Sequence, residues 1–502
     1  MTTKKVFTVF PNQLFKESID LLRTFERVIV LEEPMFYHDP KYRPFLTNKV
    51  KLAYLRSCVM FFVDYLNQSG IKNVEYIRYE DVLKMSAKKY KQTIDGSVAY
   101  NPHDKVLVTK LRDHGIAIQF IDDSPMFLST KSFMDDFYAK DKLKQHHTHS
   151  LFYAALRKHL NVLSEVKSTD KENRLPLRDL SDLPNETSFH CNYHEAGIEF
   201  ASNRLFHDHV GNAASVYLYP CTYEQSRDQL RMFLKNKFAK FGPFQDAIAK
   251  DHCFLYHSIL SPSMNIGILT PAEVVAEILG YAKKFRIPIN SVEGFIRQVV
   301  GWRERSMYIY HYFYDDLKRN KGSDFWKRQQ RLSWKAWYGE TSTGIRLLDN
   351  EIKKSVTTGY AHHIVRLMIF MNVMVLSQIQ LDDVYKWFME VCAIDAYDWV
   401  MVSNIGSMGF FSDRFMSKPY LGSSNYLTKM SDYKLSKQER SVLDALFYGF
   451  LYCNKSMLTT TKSQANIYLR NLAFFEMKSD VEQKAILDIY KDARKSLTRS
   501  NC

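Results

Sequence analysis

The segment 359–368 reads Gly-Tyr-Ala-His-His-Ile-Val-Arg-Leu-Met and sets His362, His363 and Arg366 in an otherwise apolar stretch. Ionisable groups there need partners: the histidines either hydrogen-bond inside a core or serve a site. About thirty residues on, 390–399 carries Asp395 and Trp399, which one continuous helix would place on the same face. Arg366 and Asp395 are suited to pair, as a plain interhelix salt bridge or as fixed charge beside a redox ring. Upstream, Ser258 and Ser261 bracket Ile259 and Leu260 near helix starts. Hydroxyls there cap helices, and the adjacent amides can also bind phosphate oxygens. Glu293, Gln298 and Arg303 interrupt the apolar run 292–304, which otherwise reads as an amphipathic surface helix. The stretch 317–336 carries Lys318, Arg319, Lys321, Lys327, Arg328, Arg331 and Lys335 against one acid, Asp324, interleaved with Phe325, Trp326 and Trp334. Backbone phosphates and unstacked bases would both find partners there, although a solvated basic face has the same composition.

Metal chemistry finds no support in the spacing. The seven cysteines stand about 30 residues or more apart with no C-x-x-C pair, and Gln145-His146-His147-Thr148-His149 has no acidic or thiol ligand at usable distance. The expectation is therefore no bound metal and reduced, mostly buried thiols.

The elements that must position these groups fall into two kinds. Over the first 150 residues, runs at 6–10, 28–31, 74–77 and 116–121 read as parallel strands, with a helix at 51–67 between the second and third. This predicts an open, Rossmann-like α/β domain over 1–150. A polar stretch over 151–213 reads as a linker. Residues 214–502 then read as a larger all-α domain, with helices at 223–241, 271–284, 292–313, 351–376, 381–400 and 436–453. Lysine plus arginine exceed aspartate plus glutamate by 69 − 55 = 14 across 502 residues, which favours polyanionic partners. The longest apolar stretch, 367–376, is about half a membrane span. With no secretory signal at the N-terminus, the reading is an intracellular protein without a membrane segment.

In order along the chain, "INSVEGFIRQVVGWRE" (289–304), "GYAHHIVRLM" (359–368), "DAYDWV" (395–400) and "SKPYLGSSNYLTKMSDY" (417–433) resemble the photolyase/cryptochrome superfamily, specifically its bacterial iron-sulfur, (6-4) photolyase-related branch. The resemblance implies an N-terminal antenna domain and a helical domain holding FAD in a U shape. It makes Ser258, Ile259, Leu260, Ser261, Glu293, Gln298, Arg303, Arg366, Asp395, Met401 and Asn404 the cofactor-binding residues. Trp387, Trp337 and Trp399 fall in the blocks that supply electron-transfer aromatics, with Phe388 where the branch has a tyrosine. His363 matches the branch's lesion-facing, proton-transferring histidine, with a ring that titrates near neutral pH, and His362, Tyr420 and Tyr426 complete the catalytic set. DNA contacts fall to Lys318, Arg319, Lys327, Arg328, Arg331 and Lys418, and Glu33 matches an antenna-pocket acid for a ribityl-lumazine.

The sequence departs from the branch at several of these places. Its four cluster cysteines are missing: their positions fall at 345–347, at Lys434 and Lys437, and near Ser441, so no iron-sulfur cluster is expected. Met401 stands where the branch has an acidic residue near the flavin's N5 edge, and Asn12 replaces an aspartate of the antenna pocket. The expected function is a monomeric, light-driven DNA photolyase acting on (6-4) photoproducts in UV-damaged DNA. The alternative is a cryptochrome-like flavin photoreceptor or DNA-binding flavoprotein without repair activity.

Overall fold

The structure, a computed structural model, describes residues 5–141, 149–173, 175–176, 183–319, 330–409, 415–416, 420–460 and 466–499. Five short strands form one parallel sheet: β1 (Val6–Val9), β2 (Arg27–Leu31), β3 (Val74–Ile77), β4 (Val98–Tyr100) and β5 (Gln119–Ile121), in the order β3-β2-β1-β4-β5. β1 and β2 run in register from Val6 against Arg27 to Val9 against Val30, and Phe7, Val9 and Val28 to Leu31 are buried. Such near-continuous apolar strands are those of a sheet covered on both faces. β4 is the strand that sequence periodicity missed, because three residues are too few to show a period of two.

The helix Lys49–Gln68 covers the sheet and ties it to the helical remainder. Asn48 caps this helix, its Oδ1 accepting from the Val50 amide at 3.0 Å, while its Nδ2 donates to the Val356 and Val391 carbonyls at 2.8 and 3.3 Å. Lys51, one turn in, is buried and donates to the Ala396 carbonyl at 2.5 Å. Within 151–213 the helix Asn192–Ala201 packs along Lys49–Gln68.

From Tyr223 onward the described residues are mostly helical, as anticipated, but four expected helices are broken, the 223–241 helix among them, at Lys237 (φ −124°). The expected 351–376 helix ends at Thr358 because Gly359 takes the left-handed conformation (φ 69°), and helix resumes at His363. The expected 381–400 helix stops at Glu390, passes through a 3-10 turn at Ala393–Asp395, and resumes at Asp398–Asn404. The expected 292–313 helix is two helices, Ile289–Ile296 and Glu304–Arg319, joined by a π-helical turn at Arg297–Arg303. Two more π turns, Val365–Met371 and Ile405–Gly409, lie in the same region. No helix among the described residues is long and apolar enough to cross a membrane.

Candidate active site

The breaks and π turns converge on one cavity of about 260 Å³. Its wall includes Ser258, Ile259, Leu260, Ser261, Gln298, Arg303, His363, Arg366, Asp395, Trp399 and Asn404, drawn from segments nearly 150 residues apart in sequence. Single-turn π elements concentrate at functional sites, and all three here contribute to this wall, through Gln298 and Arg303, Arg366, and Met408.

Arg366 and Asp395 do pair. Arg366 Nη2 donates to Asp395 Oδ1 at 2.5 Å and its Nε to the Ala361 carbonyl at 2.5 Å, while Ser261 donates to Asp395 Oδ2 at 2.7 Å. Asp395 reaches this geometry from a 3-10 turn, so the expected same-helix relation to Trp399 does not hold. Asn265, which sequence reasoning passed over, joins two halves of the wall: its Nδ2 donates to the Asp395 carbonyl at 2.8 Å and its Oδ1 accepts from Arg303. Its signal was the i, i+4 spacing from Ser261. Arg303 also donates to the Met126 and Met264 carbonyls and lies over the Trp399 ring at 4.9 Å. Burial pushes its pKa down to about 10, which leaves it cationic at neutral pH.

His363 lines the cavity and is exposed to solvent through it. Desolvation by the surrounding protein, then the Arg366 charge and His257, push its pKa down to about 4. These causes act against the expectation of a ring titrating near neutral pH and favour the neutral imidazole. His362 turns the other way. It is buried, stacks on His257 at 4.3 Å and 19°, and its Nδ1 has no hydrogen-bond partner. Burial holds it well below the ordinary histidine range.

Other sequence-predicted residues lie outside the wall. Glu293 is fully buried, pairs with Arg297 at 3.2 Å and accepts from Tyr153 and Thr169, tying 153–169 to the helical body. Met401 is buried, while Asn404, three residues on, reaches the cavity. Tyr420 and Tyr426 are half-buried and not part of the lining. Trp337 and Trp387 are fully buried in an edge-to-face contact at 5.5 Å, continued by Phe370 at 4.8 Å and Phe388 at 5.0 Å from Trp387. Trp399 belongs to the cavity wall and stacks edge-on against Phe127 at 5.1 Å. Of the expected DNA-contacting residues, Lys318 lies over the Tyr385 ring at 4.2 Å and Arg331 pairs with Asp383 at 2.9 Å. Lys327, Arg328, Lys418, the side chain of Arg319 and residues 145–148 lie outside the described residues. Glu33 is fully buried, its carboxylate engaged by Lys110, Tyr90 and the Met35 amide.

The wall suits a polar ring system. Arg303 Nε, Trp399 Nε1 and Gln245 Oε1 are buried without partners, and such groups in native proteins normally have one. A second cleft of about 530 Å³ lies across Ser258 and Ile259, which line both spaces, and adds Lys237 and Lys240. A polar ring in the first space and an anionic group toward Lys237 and Lys240 in the second would suit these residues.

Comparison with known proteins agrees with this geometry. Residues 7–217 match the family model of deoxyribodipyrimidine photo-lyase-related proteins. The chain is 28% identical over 452 residues to the (6-4) photolyase of Agrobacterium fabrum, covering 84% of this chain and 86% of that protein. It is 45% identical over 104 residues to an uncharacterized protein of Acanthamoeba polyphaga mimivirus, covering 20% of this chain and 81% of that one. The fold aligns with the crystal structure of a class III photolyase from Agrobacterium tumefaciens at a TM-score of 0.50 and 16% identity, over 99% of this chain and 98% of that one. Over residues 7–217 the chain thus matches the photolyase-related family model, and its fold is that of the aligned class III photolyase. That fold family implies a flavin chromophore.

Proposed function

We propose that this chain is a light-driven, FAD-dependent lyase that reverses (6-4) pyrimidine photoproducts in DNA. The observation that carries the reading is a single solvent-open cavity whose wall holds His363 beside the Arg366–Asp395–Ser261 cluster. In this reading the Ser258 hydroxyl and Lys237 hold the phosphates, and Arg303, Arg366, Asp395 with its Ser261 partner, and Asn404 border the ring. Bound FAD, reduced and photoexcited, supplies the electron that opens the lesion.

The chain's own task is then to admit a base from the duplex and to move a proton. A damaged, poorly stacked base leaves the stack at lower cost than a paired one. His363 is the proton-handling group in this proposal. Its surroundings favour the neutral ring in the free protein, and the phosphates of bound DNA would counter the Arg366 charge and raise its proton affinity toward the operating pH. The Trp337–Trp387 contact would carry electrons inward to reduce the cofactor. The proposal takes the protein as a monomer with divisions at 1–150, 151–213 and 214–502. It includes no iron-sulfur cluster, since buried Ile345 and Leu347 and exposed Lys434, Lys437 and Ser441 occupy the family's ligand positions.

The test is illumination of the purified, flavin-loaded protein with oligonucleotides carrying a (6-4) or a cyclobutane lesion, against dark controls. Restoration of the (6-4) substrate in light alone is expected. Flavin photoreduction with neither lesion repaired would overturn the proposal and favour the photoreceptor alternative, for which the buried tryptophan contact is equally suited.

A further inference from the structure

Three residues that no part of the light-driven reading uses meet where Asn192–Ala201 and Tyr223–Asn236 begin. Cys191 Sγ lies 3.1 Å from Cys221 Sγ and 3.5 Å from His194 Nδ1, and the three potential ligand atoms all lie within 4.8 Å of one another. Thirty residues separate the two thiols in sequence, which is why spacing alone excluded a metal; the fold brings them together. His194 and Cys221 are fully buried, while Cys191 is partly open to solvent.

The surroundings hold this trio in place. His194 Nε2 sits 3.0 Å from the Tyr219 carbonyl, which can only accept, so Nε2 carries the proton and Nδ1 presents its lone pair to the sulfurs. A second hydrogen bond that fixes the ring and its tautomer is the usual companion of a metal-ligating histidine. Gln225 bridges the two halves of the trio, accepting from the Cys221 amide at 3.1 Å and donating to the His190 carbonyl at 3.2 Å.

We infer that Cys191, His194 and Cys221 form a three-ligand site for a zinc-type divalent cation, with the fourth tetrahedral position open on the solvent side of Cys191. At metal–sulfur and metal–nitrogen lengths of about 2.3 and 2.0 Å, a tetrahedral ion places sulfur roughly 3.5 Å from nitrogen and sulfur roughly 3.8 Å from sulfur. The first separation is already present and the second needs a small opening of the thiol pair. A disulfide, the competing use of two close thiols, gives no role to an imidazole lone pair aimed at them. The ion would pin the start of the helix lying along Lys49–Gln68 to the start of the first long helix of the α-helical part. It would therefore act as a brace between the sheet-bearing and helical portions of the chain.

The test uses the full chain, reduced and stripped of metal, titrated with cobalt(II). About one equivalent should bind with strong tetrahedral ligand-field bands and a thiolate charge-transfer band. Zinc should displace the cobalt and raise the unfolding temperature. Cys191→Ser, at the partly open position, should weaken binding by at least about tenfold while far-ultraviolet dichroism stays unchanged, and Cys253→Ser should bind as wild type. Three results would overturn the inference: no tetrahedral cobalt spectrum in the reduced wild-type protein, wild-type affinity in Cys191→Ser, or a Cys191–Cys221 disulfide whose reduction restores no metal binding.

Discussion

Replacing Asp395 by asparagine removes one charge from the most tightly coupled part of the cavity wall. The Asp395 and Arg366 side chains are only 9% and 13% exposed, and the carboxylate serves both the guanidinium and the Ser261 hydroxyl. Breaking a buried pair by deleting one partner costs about 3–5 kcal/mol, because the remaining charge stays buried without compensation. The amide oxygen of asparagine still accepts one hydrogen bond, which recovers about 1 kcal/mol, so the net loss should be about 2–4 kcal/mol. The measurement is urea unfolding of the wild type, Asp395→Asn, Arg366→Gln and the double variant. The cycle should give a coupling energy of at least about 2 kcal/mol, and FAD affinity of Asp395→Asn should fall about tenfold, roughly 1.4 kcal/mol. A coupling below about 0.5 kcal/mol would refute the argument that the two charges depend on each other.

Burial, ahead of the Arg43 charge, pushes Lys51 down to about 7, so between pH 7 and its unfolded value near 10.5 the unfolded chain binds one more proton than the folded one. Stability should therefore rise with pH across that window, and Lys51→Met should flatten the rise; equal slopes in urea midpoints from pH 7 to 10 would dismiss the effect. Gly359→Ala should destabilise by about 1–2 kcal/mol, because φ is 69° and the added Cβ would lie 3.3 Å from Val50 Cβ; an unchanged midpoint would mean the break relaxes freely. Trp387→Phe should slow flavin photoreduction at least tenfold without changing flavin content, as read by absorbance under blue light; an unchanged rate removes that ring from the path. His363→Ala should retain damaged-DNA affinity while (6-4) repair falls by about 100-fold or more, and repair at the wild-type rate would remove the histidine from the proposal.

Much of this arrangement was legible in the residues. Strong alternation and apolar runs located four of the five strands, and the Arg366–Asp395 pair followed from two charges in apolar segments. What escaped was local geometry set by tertiary contacts. The residues 381–400 read as one helix because their apolar spacing stays helical, yet the chain leaves that path at Val391–Tyr397. There Asn48 and Lys51 take the Val391 and Ala396 carbonyls, and Asn265 takes that of Asp395. Gly359 was visible as a residue but not as a break, since an isolated glycine is tolerated within helices. The thiol and imidazole trio lay beyond any spacing rule, because its halves meet only once Asn192–Ala201 has docked.

The three π turns around the cavity also carry a consequence for how this wall can change. Each holds one residue more than the α-helical path over the same rise, so deleting one residue within 297–303 would close the wide turn to a regular helix and re-aim the residues of the turn itself, while the helix beyond keeps its place. Arg303 would swing away from the cavity although no wall residue had been substituted. The site is thus guarded by chain length as well as by side-chain identity, and single-residue deletions in these turns should be far less tolerated than substitutions at the same positions.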